Sequence, residues 1–425
     1  MSSRESSTEK DTKSGTGTSG PEALPSERKV VAAVWPTLLA SAVGLLPFTV
    51  FTTFLVDIAR AAGDGTAEVG SLRGLGGIGA VVAGVALAPL LARIAPGQVA
   101  AVALVLLGVA SLVGSLEWWL ALAAFCLLTG VSNALLYPAL STAAADRFGS
   151  GPAASRAATL VMTAQTLAST LGAPLIVLPT LWWGWQGDLV AIAVLAFLLA
   201  PVLVRFGRTR SDDAPPPERL GYLAAFRRLS AVPGARALLV VAFARAGAFM
   251  GHLAFLAPLY ADRFDLSPAL FAFVWSVSGG SFFVGHLLAG RLVNADESDD
   301  RAVRVMALSL LVSLVALVGV YTAPVLPLAL LGTAVLSVSH AVVAAAVVTL
   351  LVRRSAEVRG PALSLNSAGM SLGLFLGTAA AGAGLGVAGY AGAAVVLVVL
   401  TLVALAAALT LRAAPSRTAP RTAPR

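Results

Sequence analysis

The sequence predicts an all-α integral membrane fold: twelve transmembrane helices arranged as two pseudo-symmetric six-helix bundles. Three observations predict it. Twelve apolar stretches of about 20 residues run through the 425-residue chain, and a hydrocarbon layer roughly 30 Å thick takes about 20 helical residues to cross. Backbone amides in that layer must bond within their own helix, so each stretch reads as a spanning helix. Composition agrees, with 58% hydrophobic residues, 12% charged residues and a mean hydropathy of +0.87; so little charge cannot clothe a soluble surface of this size. Charge placement is the third observation. About 25 of the 29 Lys and Arg fall in alternate loops and the two tails, all on one side. This is the positive-inside asymmetry, which puts both termini in the cytoplasm of a multi-pass cell-membrane protein.

Taken in order, residues 1–29 are polar, lack the apolar run of a cleaved signal, and read as a disordered cytoplasmic tail. A first bundle, 30–205, holds helices at 33–58, 66–92, 98–116, 119–143, 156–181 and 186–205. Trp118-Trp119 and Trp182-Trp183 with Trp185 mark outer helix ends as interface anchors. Residues 206–236 break the pattern with Arg208, Arg210, the run Pro215-Pro216-Pro217, then Arg219, Arg227, Arg228 and Arg236. They read as a cytoplasmic linker, with an amphipathic segment at Leu220–Leu229 lying on the membrane surface. A second bundle, 237–411, holds helices at 237–260, 268–292, 303–322, 326–352, 361–386 and 388–411. The tail 412–425, with its Thr-Ala-Pro-Arg repeat, reads as disordered.

Several function classes drop out. The net charge of +8 and pI near 10.3 are topological rather than a sign of nucleic acid, because the cations follow the loops. Cys126 is the single cysteine, so no internal disulfide forms. No G-x-x-x-x-G-K-[ST] is present, which excludes direct ATP drive within this chain. No nucleophile–base pair stands out, and three histidines on three helices lack ligand spacing, so neither an enzyme nor a metal or other cofactor is expected.

The halves look alike at an offset of about 200 residues. Leu90-Leu91-Ala92-Arg93 ends the second helix and Leu287-Leu288-Ala289-Gly290-Arg291 the eighth; Arg156 opens the fifth and Arg359 the eleventh. Such weak internal symmetry is expected of transporters whose repeats rock about a midplane site. Here the chain resembles the major facilitator superfamily, and specifically its twelve-helix drug:proton antiporter branch. The segments that carry the resemblance are Ala88-Pro-Leu-Leu-Ala-Arg93, Gly290-Arg-Leu-Val-Asn294, Arg156-Ala-Ala-Thr-Leu with Leu171-Gly172-Ala173-Pro174, and Arg359-Gly-Pro-Ala-Leu-Ser-Leu-Asn366 running on to Gly373. The resemblance implies gating by Arg93, Gly172, Pro174, Gly290, Arg291 and Asn294. The signature's acidic residue is replaced by Ala92 in the first half and Asn294 in the second, so the family's usual charge relay lacks its carboxylate here.

Ionisable groups inside a membrane are costly, and each is a functional candidate with a partner to be named. Asp57 and Arg73 fall at similar heights on the first two helices, as a proton site with its charged partner or as an ion pair fixing the hairpin. Arg245 and His252 share a face of the seventh helix; Arg245 can take an anionic group, and His252 titrates near neutral pH. His340, Asn133, Gln165 and Asn366 are cavity candidates, with interhelical bonding as the alternative. Gly369, Gly373 and Gly377 form a stripe for close helix contact. The expected function is export of a small amphiphilic molecule by proton antiport. Export of a specific sugar or natural product, and a transporter-like receptor that moves nothing, are the alternatives. The expected partners are the small-molecule substrate, protons and membrane lipid, with no nucleic acid and a monomeric state.

Overall fold

Helix is the local solution that lipid allows, and the computed structural model is helical along nearly all of its described residues, 26–87, 94–149, 152–206, 222–293, 299–355 and 358–411. The first span runs Glu27–Thr53, breaks at Phe54, and continues as Leu55–Ala62. The second starts at Thr66–Ser71, tightens into a 3-10 turn at Leu72–Gly74, resumes over Leu75–Val82 and ends in a π-turn, Ala83–Leu87. The third and fourth are Pro96–Gly114 and Trp119–Asp146. Fifth and sixth form one run, Pro152–Phe206, that folds back at Gly184. A short helix, Tyr222–Ser230, precedes the seventh span, which runs Ala235–Ala254, breaks at Phe255 and continues as Leu256–Phe264. Eighth, ninth and tenth are Pro268–Val293, Asp299–Thr322 and Leu326–Arg354. Eleventh and twelfth share Arg359–Thr410, reversing at Gly389.

Among the described residues, nine helices are long and apolar enough to cross a membrane. Two of them are the doubled runs, and the interrupted second span completes the expected twelve. Two departures matter. The sequence reads 66–92 as one unbroken helix, whereas the structure tightens it at Leu72–Gly74, a turn centred on Arg73. The first span of each half also breaks at a phenylalanine, Phe54 and Phe255, about 200 residues apart and with nearly the same backbone angles. The repeat is therefore visible in the backbone as well as in the sequence.

The two reversals need glycine. Gly184 has φ 68° and Gly389 φ 59°, a region where a Cβ is strained. The first turn is stapled by Asp188, 3% exposed, which accepts from Thr180 Oγ1 and from Trp183 Nε1 at 3.0 Å. Sequence reading missed Asp188, although a lone carboxylate in an apolar run was the available signal. At the third-to-fourth turn Glu117 takes φ 69° and accepts from Gln186 Nε2.

Helices approach one another through small residues, as expected where no hydrophobic drive separates helix from lipid. Fourth packs on second with Gly130 against Gly76, and eleventh packs on seventh with Gly373 and Gly377 against Phe243 and Gly247. The halves meet where Gly74 and Gly77 face Phe375 and Ser371, and where Gly279 faces Ser169. Ser276 Oγ also donates to Thr170 O at 2.7 Å. The second-span contacts lie toward the face carrying Asp57, Glu68 and Glu117, here called the acidic face; the opposite, basic face carries Arg291, Arg353 and Arg354. At the basic face Arg354 pairs with Asp299 at 2.8 Å.

The glycine stripe makes a sharp prediction. A Cβ at Gly373 or Gly377 would collide with backbone of the seventh span, whereas one at Gly369 would meet nothing nearer than 4.0 Å. Gly373→Ala and Gly377→Ala should each cost about 1–3 kcal/mol by overpacking, while Gly369→Ala should be neutral or stabilising by up to about 1 kcal/mol through helix propensity. Thermal unfolding of the three variants in detergent checks the ordering.

Candidate functional site

In the first half, the 3-10 turn turns Arg73 inward. Its side chain is buried, with Nη1 donating to Thr52 Oγ1 at 2.5 Å and the guanidinium 5.5 Å from the Phe48 ring centre. The expected pairing with Asp57 is corrected. Asp57 instead pairs with Arg60 on its own helix at 3.1 Å, and both side chains are more than a third exposed. Counting residues from the hairpin assumed two unbroken helices; the break at Phe54 and the 3-10 turn change the register. Arg73 therefore reaches Thr52, on the far side of the break from Asp57.

Deeper in the same half, Asn133 and Tyr137 on the fourth span converge on Gly44 of the first. A Cβ at Gly44 would lie 3.1 Å from Tyr137 Oη and 3.3 Å from Asn133 Oδ1. Asn133 Oδ1 has no hydrogen-bond partner, and Gln165 of the fifth span lies beside the Tyr137 hydroxyl. Gly172 packs on the first span near Thr49 and Leu46, two residues before Pro174.

The second half gathers more of the candidates. Arg245 is 2% exposed, and His252 and His340 are each 1% exposed. Arg245 Nη1 donates to His340 O at 3.4 Å. Phe249, one turn along from Arg245, stacks between His340 at 4.8 Å and Phe282 at 5.3 Å. Phe282 meets His286 edge-on at 4.7 Å, and His286 is exposed. His252 lies edge-on to Tyr321 at 5.8 Å. Both ring nitrogens of His252, Nδ1 of His340 and the Tyr321 hydroxyl have no hydrogen-bond partner. Asn366, one of the cavity candidates, instead donates to Met370 Sδ at 3.6 Å and leaves its Oδ1 unbonded.

Of the gating candidates, Arg93 and Asn294 lie outside the described residues, as does Ala92. Gly290 has nothing within 4 Å of an added Cβ, and Arg291 is exposed at the end of the eighth span. The capping of that end falls to Arg301, whose Nε donates to Leu292 O at 3.0 Å; sequence reading did not single it out. A cation at a helix C-terminus is the physical signal that was available. Among the described residues no cluster of three or more His, Cys, Asp or Glu suited to a metal ion occurs.

Comparison with known families matches residues 37–295 to the Major Facilitator Superfamily. The chain belongs to the Major Facilitator Superfamily. Its fold agrees with solved structures of other such transporters. One is a bacterial homolog of the human lysosomal transporter Spinster, inward-facing and unoccupied, at TM-score 0.70 and 16% identity, covering 92% of this chain and 96% of that one. A second is the nucleoside transporter NupG, at TM-score 0.70 and 15% identity, covering 90% and 99%. A third is the human organic anion transporter MFSD10, at TM-score 0.57 and 19% identity, covering 90% and 100%. A comparison with curated protein sequences finds no match. Membership in the Major Facilitator Superfamily makes the chain a multi-pass membrane transporter of small molecules; likenesses at these identities speak to the fold alone.

The corrected pairing has a consequence for stability. An exposed ion pair contributes at most about 1 kcal/mol, so Asp57→Asn should shift thermal unfolding in detergent by little. A loss of several kcal/mol would restore the hairpin-fixing role.

Proposed function

We propose that this transporter exports a small amphiphilic molecule from the cytoplasm by alternating access, with both chain ends cytoplasmic and the basic face inward. The observation that carries the reading is the composition of the second-half site. An aromatic stack of His340, Phe249 and Phe282 stands beside the Arg245 guanidinium and the unbonded polar groups of His252 and Tyr321. An apolar body and a hydrogen-bonding end fit such a wall together, as ligand sites commonly combine the two. Buried polar groups without partners are costly, and a ligand that supplies partners recovers part of that cost. Asn133, Tyr137 and Gln165 offer a second polar set from the first half, which favours a substrate with hydrogen-bonding groups at both ends over a featureless hydrophobe.

Purified protein in liposomes, screened for gradient-driven flux against a panel of antibiotics, dyes and sugars, tests the reading. Flux of at least one amphiphile is expected; no flux of any would count heavily against it. Asn133→Leu, which removes the amide that faces Gly44 at similar side-chain volume, should lower flux by roughly tenfold, as removal of a buried hydrogen-bonding site predicts.

A second reading, coupling by proton antiport, is favoured by His252. A neutral imidazole accepts a hydrogen bond and an imidazolium does not, so a substrate donor and a proton compete for one nitrogen. The groups facing His252 among the described residues are Tyr321 from the ninth span and His340 from the tenth. His252→Gln should then abolish the response of flux to an imposed pH gradient, whereas Asp57→Asn should leave it intact. The opposite pattern would return the proton site to Asp57.

A further inference from the structure

Arg245 holds a permanent charge part-way along the seventh span, and its single hydrogen bond among the described residues is the long one to His340 O. Among the described residues no carboxylate pairs with it. The candidates are engaged elsewhere: Asp57 with Arg60, Asp188 with Thr180 and Trp183, Asp262 with Tyr390, and Asp299 with Arg354. A guanidinium presents five N–H donors in a planar fork, and holding it away from water without a counter-charge is unfavourable.

The fold does not demand that charge. The phenylalanine breaks align Phe54 with Phe255, and the same offset aligns Phe48 with Phe249 and Gly44 with Arg245. One half therefore builds this helix with glycine where the other places arginine. A charge that the architecture can omit, and that has no carboxylate partner among the described residues, points to a partner from outside.

We propose that Arg245 binds the anionic group of the substrate, which is an amphiphilic organic anion: a carboxylate whose flat apolar body lies along the His340–Phe249–Phe282 stack. The inference rests on the transport reading and names its substrate class. The stack runs from buried His340 through half-buried Phe282 to exposed His286, so one aromatic row extends from the residue bonded to the guanidinium to the protein surface. Carboxylate and guanidinium meet through two parallel hydrogen bonds, the geometry in which arginine outperforms lysine.

The test is equilibrium binding to the purified full chain in detergent, with no gradient imposed. The probes are phenylbutyrate, its neutral amide phenylbutyramide and its cationic counterpart phenylbutylamine, with phenyloctanoate as a longer anion. Phenylbutyrate or phenyloctanoate is expected to bind at least roughly tenfold tighter than the amide, and Arg245→Gln should erase that preference. Arg245→Lys should keep part of it. Ligand-free Arg245→Met should unfold at a higher temperature than the parent, because it removes an uncompensated charge. The inference is overturned by amine or amide binding as tight as the anion, by no detectable binding of either anion, by an unchanged preference in Arg245→Gln, or by a lower unfolding temperature for Arg245→Met. Anion binding without flux in liposomes would remove the transport reading and leave the site. Flux of the amine that survives Arg245→Gln would remove the site and leave transport.

Discussion

Hydrogen-bond satisfaction of the backbone inside lipid is the constraint on which the rest of this structure depends. With every amide in the hydrocarbon layer committed to its own helix, the chain can vary only how near helices come and where a helix is interrupted. Nearness is set by glycine: Gly76 with Gly130 inside the first half, Gly247 with Gly377 inside the second, Gly74 and Gly77 against the eleventh span between halves. Interruption is set at Phe54, Phe255 and the 3-10 turn at Leu72–Gly74. Each interruption lies near a candidate group: Thr52 and Arg73 in the first half, His252 in the second.

Much of the fold was legible because its signals are long. Runs of apolar residues and the alternation of basic loops survive small errors in boundary, and they give span number without reference to neighbours. The 3-10 turn was not legible, since Leu72-Arg73-Gly74 carries no proline or cap to mark it. Its effect on the site was large, because with the break at Phe54 it exchanged Asp57 for Thr52, five residues earlier, as the partner of Arg73. Proximity along two helices was the wrong quantity; proximity depends on where each helix bends.

The site itself was half legible. Arg245, His252 and His340 stand out as ionisable groups in apolar runs, and the structure brings all three into one neighbourhood. What sequence could not give is the set of contacts they lack. Whether an arginine in a membrane is paired depends on carboxylates that are far away in sequence, and only the three-dimensional arrangement assigns Asp299 to Arg354 and Asp188 to Thr180 and Trp183. Asp188 and Arg301 were missed for a related reason: each acts at a helix end or turn, where its role is defined by a backbone or side-chain partner rather than by a motif.

The reversals at Gly184 and Gly389 join their flanking spans with no slack between them. A turn of one or two residues fixes the separation of the helix ends it connects, so the fifth span cannot slide along its axis without carrying the sixth by the same amount. The same holds for the eleventh and twelfth. Relative motion of the halves at the fifth–eighth and second–eleventh contacts is thereby restricted to tilting and rolling of helix pairs. Ser276, bonded to Thr170 O, ties the eighth span to the fifth at one point, and a single such bond resists tilting of the pairs far less than it resists sliding.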